Sequence, residues 1–267
     1  AGAASGPAMA AVNDTILDAE DFSSGAAVSS GTITQSSTIN MGSLAADKFS
    51  GTWTVIGDTV LSGSEADITI TGAAGKHILV SGSSGDLTVQ SGASLTITNT
   101  DTTDTHIYGG NTDGSSGTLT LTGDGSTINL NKASMGFKDV KIDNGAVLNL
   151  GGQVKLNYNS GSGAWYTYSN ISAGASGTFS VENAIVNVND QGFINAETLN
   201  VSGATTINLN GEVKDVTSGS DYATAFLKAY GDSGTITFAS TTANGTTSKP
   251  VINVAADKYG ALYATKV

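Results

Sequence analysis

One phrase occurs twice between residues 119 and 150, as LTLTGDGSTINL and then as VKIDNGAVLNL. Each copy is a short run in which apolar and polar residues alternate, a turn carrying glycine, and a second alternating run. The alternation sets Leu119, Leu121, Ile128 and Leu130 on one face, and Thr120, Asn129 and Asn131 on the other. Related phrases are LTVQSGASLTI from Leu87 and LNVSGATTINL from Leu199. The copies at Leu119 and Val140 are 21 residues apart, and Val140 to Leu199 is 59, close to three such periods. A unit of about 20 residues cannot bury its own apolar face and needs neighbours above and below it. Hairpins in a meander or sandwich would use the same glycine turns, but the recurring period favours coils stacked as an all-β solenoid. Leu87 to Leu119 is 32 residues, which places an insertion within the Asp-, Thr- and Gly-rich residues 99–117.

A solenoid core grows in one dimension, so 267 residues fit one continuous stack. The 35 glycines against two prolines suit a chain that turns every few residues. No run approaches the roughly 18 apolar residues of a membrane helix. Without cysteine there is neither a disulfide framework nor a Cys-based zinc site. All eleven basic residues are lysine, and the net charge is −12. Such a chain lacks the basic stripe that neutralises phosphates, so nucleic acid and anionic membranes are not expected partners. A sparsely charged, Thr- and Asn-covered surface suits an extracellular setting. The opening AGAASGPAMA has no initiator Met or apolar signal core, as expected of the mature product of a secreted precursor.

Three regions follow from the texture of the chain. Residues 1–22 form a tail in which Asn13 or Asp14 caps a short helix. There Ile16, Leu17 and Phe22 cover the open end of the first coil as a lid. In the alternative, the same segment adds a strand to a neighbouring subunit and these three residues lie at the interface. Residues 23–219 form the solenoid, with less regular strand candidates up to residue 82 and one interruption at 160–176. Residues 220–267 form a cap continuous with it. Within the cap, 221–230 reads as a helix, since Tyr222, Ala225, Phe226 and Ala229 recur at helical spacing. Strands are expected at 234–238, 250–254 and 261–265.

Few residues carry chemistry. Asp101, Asp104 and Asp113, with Asp124 nearby, are candidate Ca²⁺ ligands or paired acids for glycoside hydrolysis. Yet no calcium-loop spacing is present, and Asp is an ordinary turn residue. No other cofactor is expected. His77 and His106 are the only histidines and stand in no zinc-binding spacing. Gly123-Asp124-Gly125 is a turn, because no helix-forming run follows it. Trp165, Tyr166 and Tyr168 serve either as a subunit or sugar contact or as cover for a widened core. The recurrent asparagines, among them Asn129, Asn149, Asn187 and Asn208, are expected to stack as an amide ladder at the coil corners rather than to bind a ligand. Thr-x-Thr pairs such as Thr69/Thr71 and Thr96/Thr98 resemble the arrays of ice-binding β-helices, but asparagine replaces threonine in the later coils.

The phrases LTVQSGASLTI, VKIDNGAVLNL and LNVSGATTINL resemble the coils of bacterial autotransporter passenger domains and related exported β-helical adhesins. The resemblance spans about residues 50–211. It implies a right-handed parallel β-helix outside the cell, with capped or polymerising ends, and it implies no catalytic residue. The chain carries no Gly-Asp-Ser-Gly protease signature and no C-terminal translocating barrel, so a barrel has been removed or the chain is a free secreted subunit. The expected function is a secreted structural or adhesive solenoid, not an enzyme. It would assemble head-to-tail into a cell-surface or biofilm-matrix fibre. The alternative is a monomeric adhesin binding cells or glycans, with a carbohydrate-active enzyme or an ice-binding protein less favoured.

Overall fold

Alternation buries one side of each strand, and in the computed structural model all the buried sides share one column-like interior. The structure describes residues 10–11, 27–43, 52–72, 77–81, 86–98, 106–109, 117–151, 153–159, 163–168, 170–173, 177–190, 192–212 and 225–267. The fold is an all-β stack of parallel coils, and each complete coil contributes three strands. Thr118–Thr122, Thr127–Asn131 and Ser134–Phe137 make one coil, and Thr198–Ser202, Thr206–Asn210 and Ala225–Ala229 make a later one. Every such strand pairs in parallel with its equivalent in the neighbouring coil, which generates three faces. The second face is an 8-stranded sheet running from Ser37–Asn40 to Val251–Asn253. The first and third faces are joined by the long strand Thr52–Ser62, which turns the corner between them. Its first half pairs with His77–Ser81 and its second with Leu87–Gln90.

The interior is built from registered columns. On the first face Leu87, Leu119, Val140, Phe179, Leu199 and Ile236 lie above one another, and on the second Ile68, Leu95, Ile128, Leu148, Val186 and Ile207 do so. All are buried. Where the first face turns into the second, a third column holds only small residues: Ala66, Ala93, Ser126, Ala146, Ala184 and Thr205, each at most 2% exposed. Their carbonyls accept from the first amide of the next coil's second-face strand, as in Val147 N–H to Ser126 O at 3.0 Å and Ile185 N–H to Ala146 O at 3.0 Å. Those corners require left-handed backbone, supplied by pairs such as Asn144 (φ 53°) and Gly145 (φ 83°). At 145 a Cβ would also overlap the Asp124 carboxylate of the coil before, so glycine is needed there twice over.

The repeated phrase thus marks two strands of a three-strand coil. Leu119 does pair with Val140 and with Leu87, as the spacing predicts. The third-face strands, such as His106–Gly109, Ser134–Phe137 and Asn170–Ala173, are four residues long and show too little alternation to be read in advance. The expectation of three periods between Val140 and Leu199 is corrected to two coils. Asn149 and Asn187 are direct neighbours although 38 residues apart, whereas Asn187 and Asn208 are 21 apart. The excess is an inserted antiparallel hairpin, Gln153–Asn159 with Gly163–Tyr168, where a loop-like interruption was expected.

The expected helix at 221–230 is also corrected. Ala225–Ala229 is a strand held between Phe193–Ala196 and Gly260–Tyr263, with Ala225, Phe226, Leu227 and Ala229 all buried. Two flanking strands offer this segment a full set of backbone partners, which outweighs its helical spacing. The last three strands fall near their expected places, at Thr235–Ala239, Val251–Asn253 and Gly260–Tyr263. Between the first two, Thr241–Ala243 and Thr246–Ser248 form an unforeseen hairpin. Its turn is Asn244-Gly245, both with positive φ, as the tight turns of hairpins require.

Candidate functional site

Three surfaces of the stack present organised side chains, and register with the interior determines each of them. On the outer side of the second face, Thr38, Thr69, Thr96, Asn129, Asn149, Asn187, Asn208 and Asn253 form one column. From Asn129 onward each amide Nδ2 donates to the residue one coil before it. Asn149 donates to Asn129 Oδ1, Asn187 to Asn149 Oδ1 and Asn208 to Asn187 Oδ1, all at 2.8 Å. The run ends with Asn253 donating to Asn208 Oδ1 at 3.1 Å and begins with Asn129 donating to Thr96 Oγ1 at 3.0 Å. The asparagines are therefore a structural ladder, as expected, although it climbs the middle of a face rather than a corner. The threonine column gives way to asparagine after Thr96, so no uniform hydroxyl array runs the length of the rod.

The second surface is a depression of about 230 Å³ on the outer side of the third face, lined by Phe193, Asn195, Phe226, Lys228 and Tyr230. Parallel pairing places Phe193 beside Phe226 and Asn195 beside Lys228. The two phenylalanine rings stack at 4.8 Å with parallel planes, and Tyr263 meets Phe226 edge-on at 5.6 Å. Burial pushes the Tyr230 phenol above its ordinary value of 10.0, and the Glu197 carboxylate pushes it further the same way. Its neutral form is thus favoured by the fold. That contribution is complete below pH 10.0 and is lost as pH rises through the raised value. Spectrophotometric titration should accordingly show Tyr230→Phe losing a late-titrating phenol. Loss of a phenol that ionises at or below the ordinary value would contradict this.

The third surface is the end of the stack. The burial of Thr235–Ala239 starts with the usual alternation, but the strand then stays exposed, and Phe238 is 36% exposed at the head of an inward column. Val251, Val254, Tyr259 and Leu262 are also exposed there, each by 40% or more. Leu262 pairs with the buried Leu227 and looks inward by register, whereas Val251 pairs with Thr206 on the outer side of the second face, in the same column as the exposed Ile185.

Most of the residues singled out from the sequence fall where no side chain is described. Asp101, Asp104 and Asp113, and likewise Ile16, Leu17 and Phe22, lie outside the described residues. Trp165, Tyr166 and Tyr168 fall on the strand Gly163–Tyr168 of the inserted hairpin, which is described by its backbone. Asp124 sits exposed in a corner turn, flanked by Gly123 (φ 96°) and Gly125 (φ 76°). Among the described residues no group of three or more His, Cys, Asp or Glu is arranged to hold a metal ion. Nor is any helix there long and apolar enough to cross a membrane. The depression escaped sequence reading because Phe193 and Phe226 are brought together by coil register alone. The exposed end escaped because its residues have the same apolar spacing as buried ones. Compared with family models, with characterised proteins and with solved structures, the chain matches none.

Proposed function

We propose that this protein is an extracellular structural or adhesive rod that works by its surfaces rather than by catalysis, and that it assembles through an end of its stack as a subunit of a cell-surface or matrix fibre or layer. The observation that carries this is the apolar surface of the last described coil, where Phe238, Val254 and Leu262 face solvent. Open strand edges beside exposed aliphatics invite pairing with another chain. The second-face sheet of 8 strands makes a rod of roughly 40 Å at about 4.8 Å per coil. We take the coils to wind right-handed, as connections between parallel strands of one sheet nearly always do. The sparse charge and the Thr/Asn cover support a setting outside the cell.

Light scattering and negative-stain microscopy at two protein concentrations test the assembly. The wild-type protein is expected to exceed its monomer mass of 26.6 kDa increasingly with concentration. Leu262→Lys is expected to stay monomeric with an unchanged circular dichroism spectrum, because a charge on the end face must be desolvated to form the contact. A wild-type protein that remains monomeric at high concentration overturns assembly. It would favour the second reading, a monomeric adhesin, which the Phe193, Asn195 and Lys228 depression supports by combining a ring with amide and ammonium donors suited to a sugar.

A further inference from the structure

We infer that the depression on the third face takes a sugar ring that carries a carboxylate, with the acid group meeting Lys228 and the ring lying against Phe193 and Asn195. This rests on the sugar-binding reading of the depression proposed above, and it does not depend on whether the rod also assembles. The depression lies within the stack rather than at its limit. Its strands Phe193–Ala196 and Ala225–Ala229 pair with each other, and on their far sides with Asn170–Ala173 and Gly260–Tyr263. Both strands bury their inward side, with Ile194, Ala196, Leu227 and Ala229 at most 5% exposed. The outward side chains are therefore presented from a fixed backbone.

Register decides which groups face a ligand. Asn195 stands beside Lys228, about 4.8 Å away across the sheet. The Tyr230 N–H donates to Ala196 O at 2.9 Å and so continues the ladder, and alternation returns its side chain to the side of Lys228. Burial, and then the Glu197 carboxylate, raise the Tyr230 phenol above its ordinary value, which keeps it a donor. Ammonium, amide and phenol donors thus line one depression, and Lys228 is the only charged group among its five lining residues. A carboxylate there accepts a charge-assisted hydrogen bond, stronger than the bond a hydroxyl would make. Asn195 offers both donors and an acceptor, as neighbouring sugar hydroxyls require. Phe193 and Phe226, stacked at 4.8 Å, supply an apolar side for the C–H groups of the ring. At about 230 Å³ the depression is smaller than the roughly 300 Å³ at which drug-sized pockets begin, so it holds one ring rather than several.

Methyl β-glucuronide and methyl β-glucoside differ only in the carboxylate that replaces the exocyclic hydroxymethyl group, and their binding can be compared by ligand-observed NMR. The glucuronide is expected to bind the wild-type protein about tenfold more tightly. Lys228→Met, which keeps the length of the side chain, is expected to lose that preference with an unchanged circular dichroism spectrum. Lys228→Arg is expected to retain it. Equal binding of the two glycosides, or a preference that survives Lys228→Met, would overturn the carboxylate while leaving a sugar site in place. Acetate displacing the glucuronide at equal concentration would mean that the anion alone is held, and would overturn the sugar ring. Binding of neither glycoside would remove both this inference and the sugar-binding reading.

Discussion

Phe179→Ala is expected to destabilise the protein by about 3–5 kcal/mol, the usual cost of removing a fully buried phenylalanine. Phe179 is 1% exposed and stands in the first-face column between Val140 and Leu199. Its ring fills the interior of the first coil after the inserted hairpin. The backbone ladders on either side fix the coil spacing, which opposes collapse of the coil into the space. In a stack stabilised by nearest-neighbour contacts, a weakened coil also uncouples the halves on either side of it. Chemical denaturation should therefore show a lower midpoint and a broadened or split transition. A loss under about 1 kcal/mol with a single sharp transition would mean that the column is not close-packed at this point.

Asn187→Asp is expected to cost about 1–3 kcal/mol at neutral pH. Asn187 donates to Asn149 Oδ1 and accepts from Asn208 Nδ2, both at 2.8 Å. A carboxylate keeps the acceptor, loses the donor, and sets a negative oxygen against the Asn149 carbonyl oxygen. The ladder is directional, so the lower half is left without its donor. The pH dependence follows. Once protonated, the introduced carboxyl can donate to Asn149 again, so its folded-state pKa lies above the unfolded one. The deficit is full above that raised value and shrinks as pH falls through it. Comparing denaturation of the two proteins at neutral pH and near about pH 4 checks this. Asn187→Leu, which removes both bonds without adding charge, should show a deficit that does not change with pH. Equal pH profiles for the Asp and Leu variants would mean that Asn187 does not bridge its neighbours in solution.

The ladder and the interior were both legible in the amino-acid sequence, for a common reason. Leu119, Leu121, Ile128 and Leu130 alternate with Thr and Asn at period two, and the pattern returns after 21 residues at Val140. Local alternation determines which side of a strand is buried, and a short repeat determines that copies stack, so the all-β coil architecture and its column of aliphatics needed no coordinates. Residues 225–229 were misread because helical spacing and burial on a strand between two others are indistinguishable in a run as short as Ala-Phe-Leu-Lys-Ala. The insertion between Val140 and Leu199 was read as a loop-like interruption rather than as a hairpin, and its length, close to one coil, imitated an extra period.

The candidate sites belong to a different level of organisation. Phe193 and Phe226 are 33 positions apart, yet their rings stack at 4.8 Å, and nothing in either segment alone specifies that meeting. Likewise Leu262 has the pattern of a core residue and pairs with the buried Leu227, yet it is 40% exposed, while Ile33 is covered. Alternation is a property of a few adjacent residues and was decided by the chain itself. Which coil lies over which, and which apolar side chains stay exposed, depends on contacts between distant segments, and only the tertiary structure decided it.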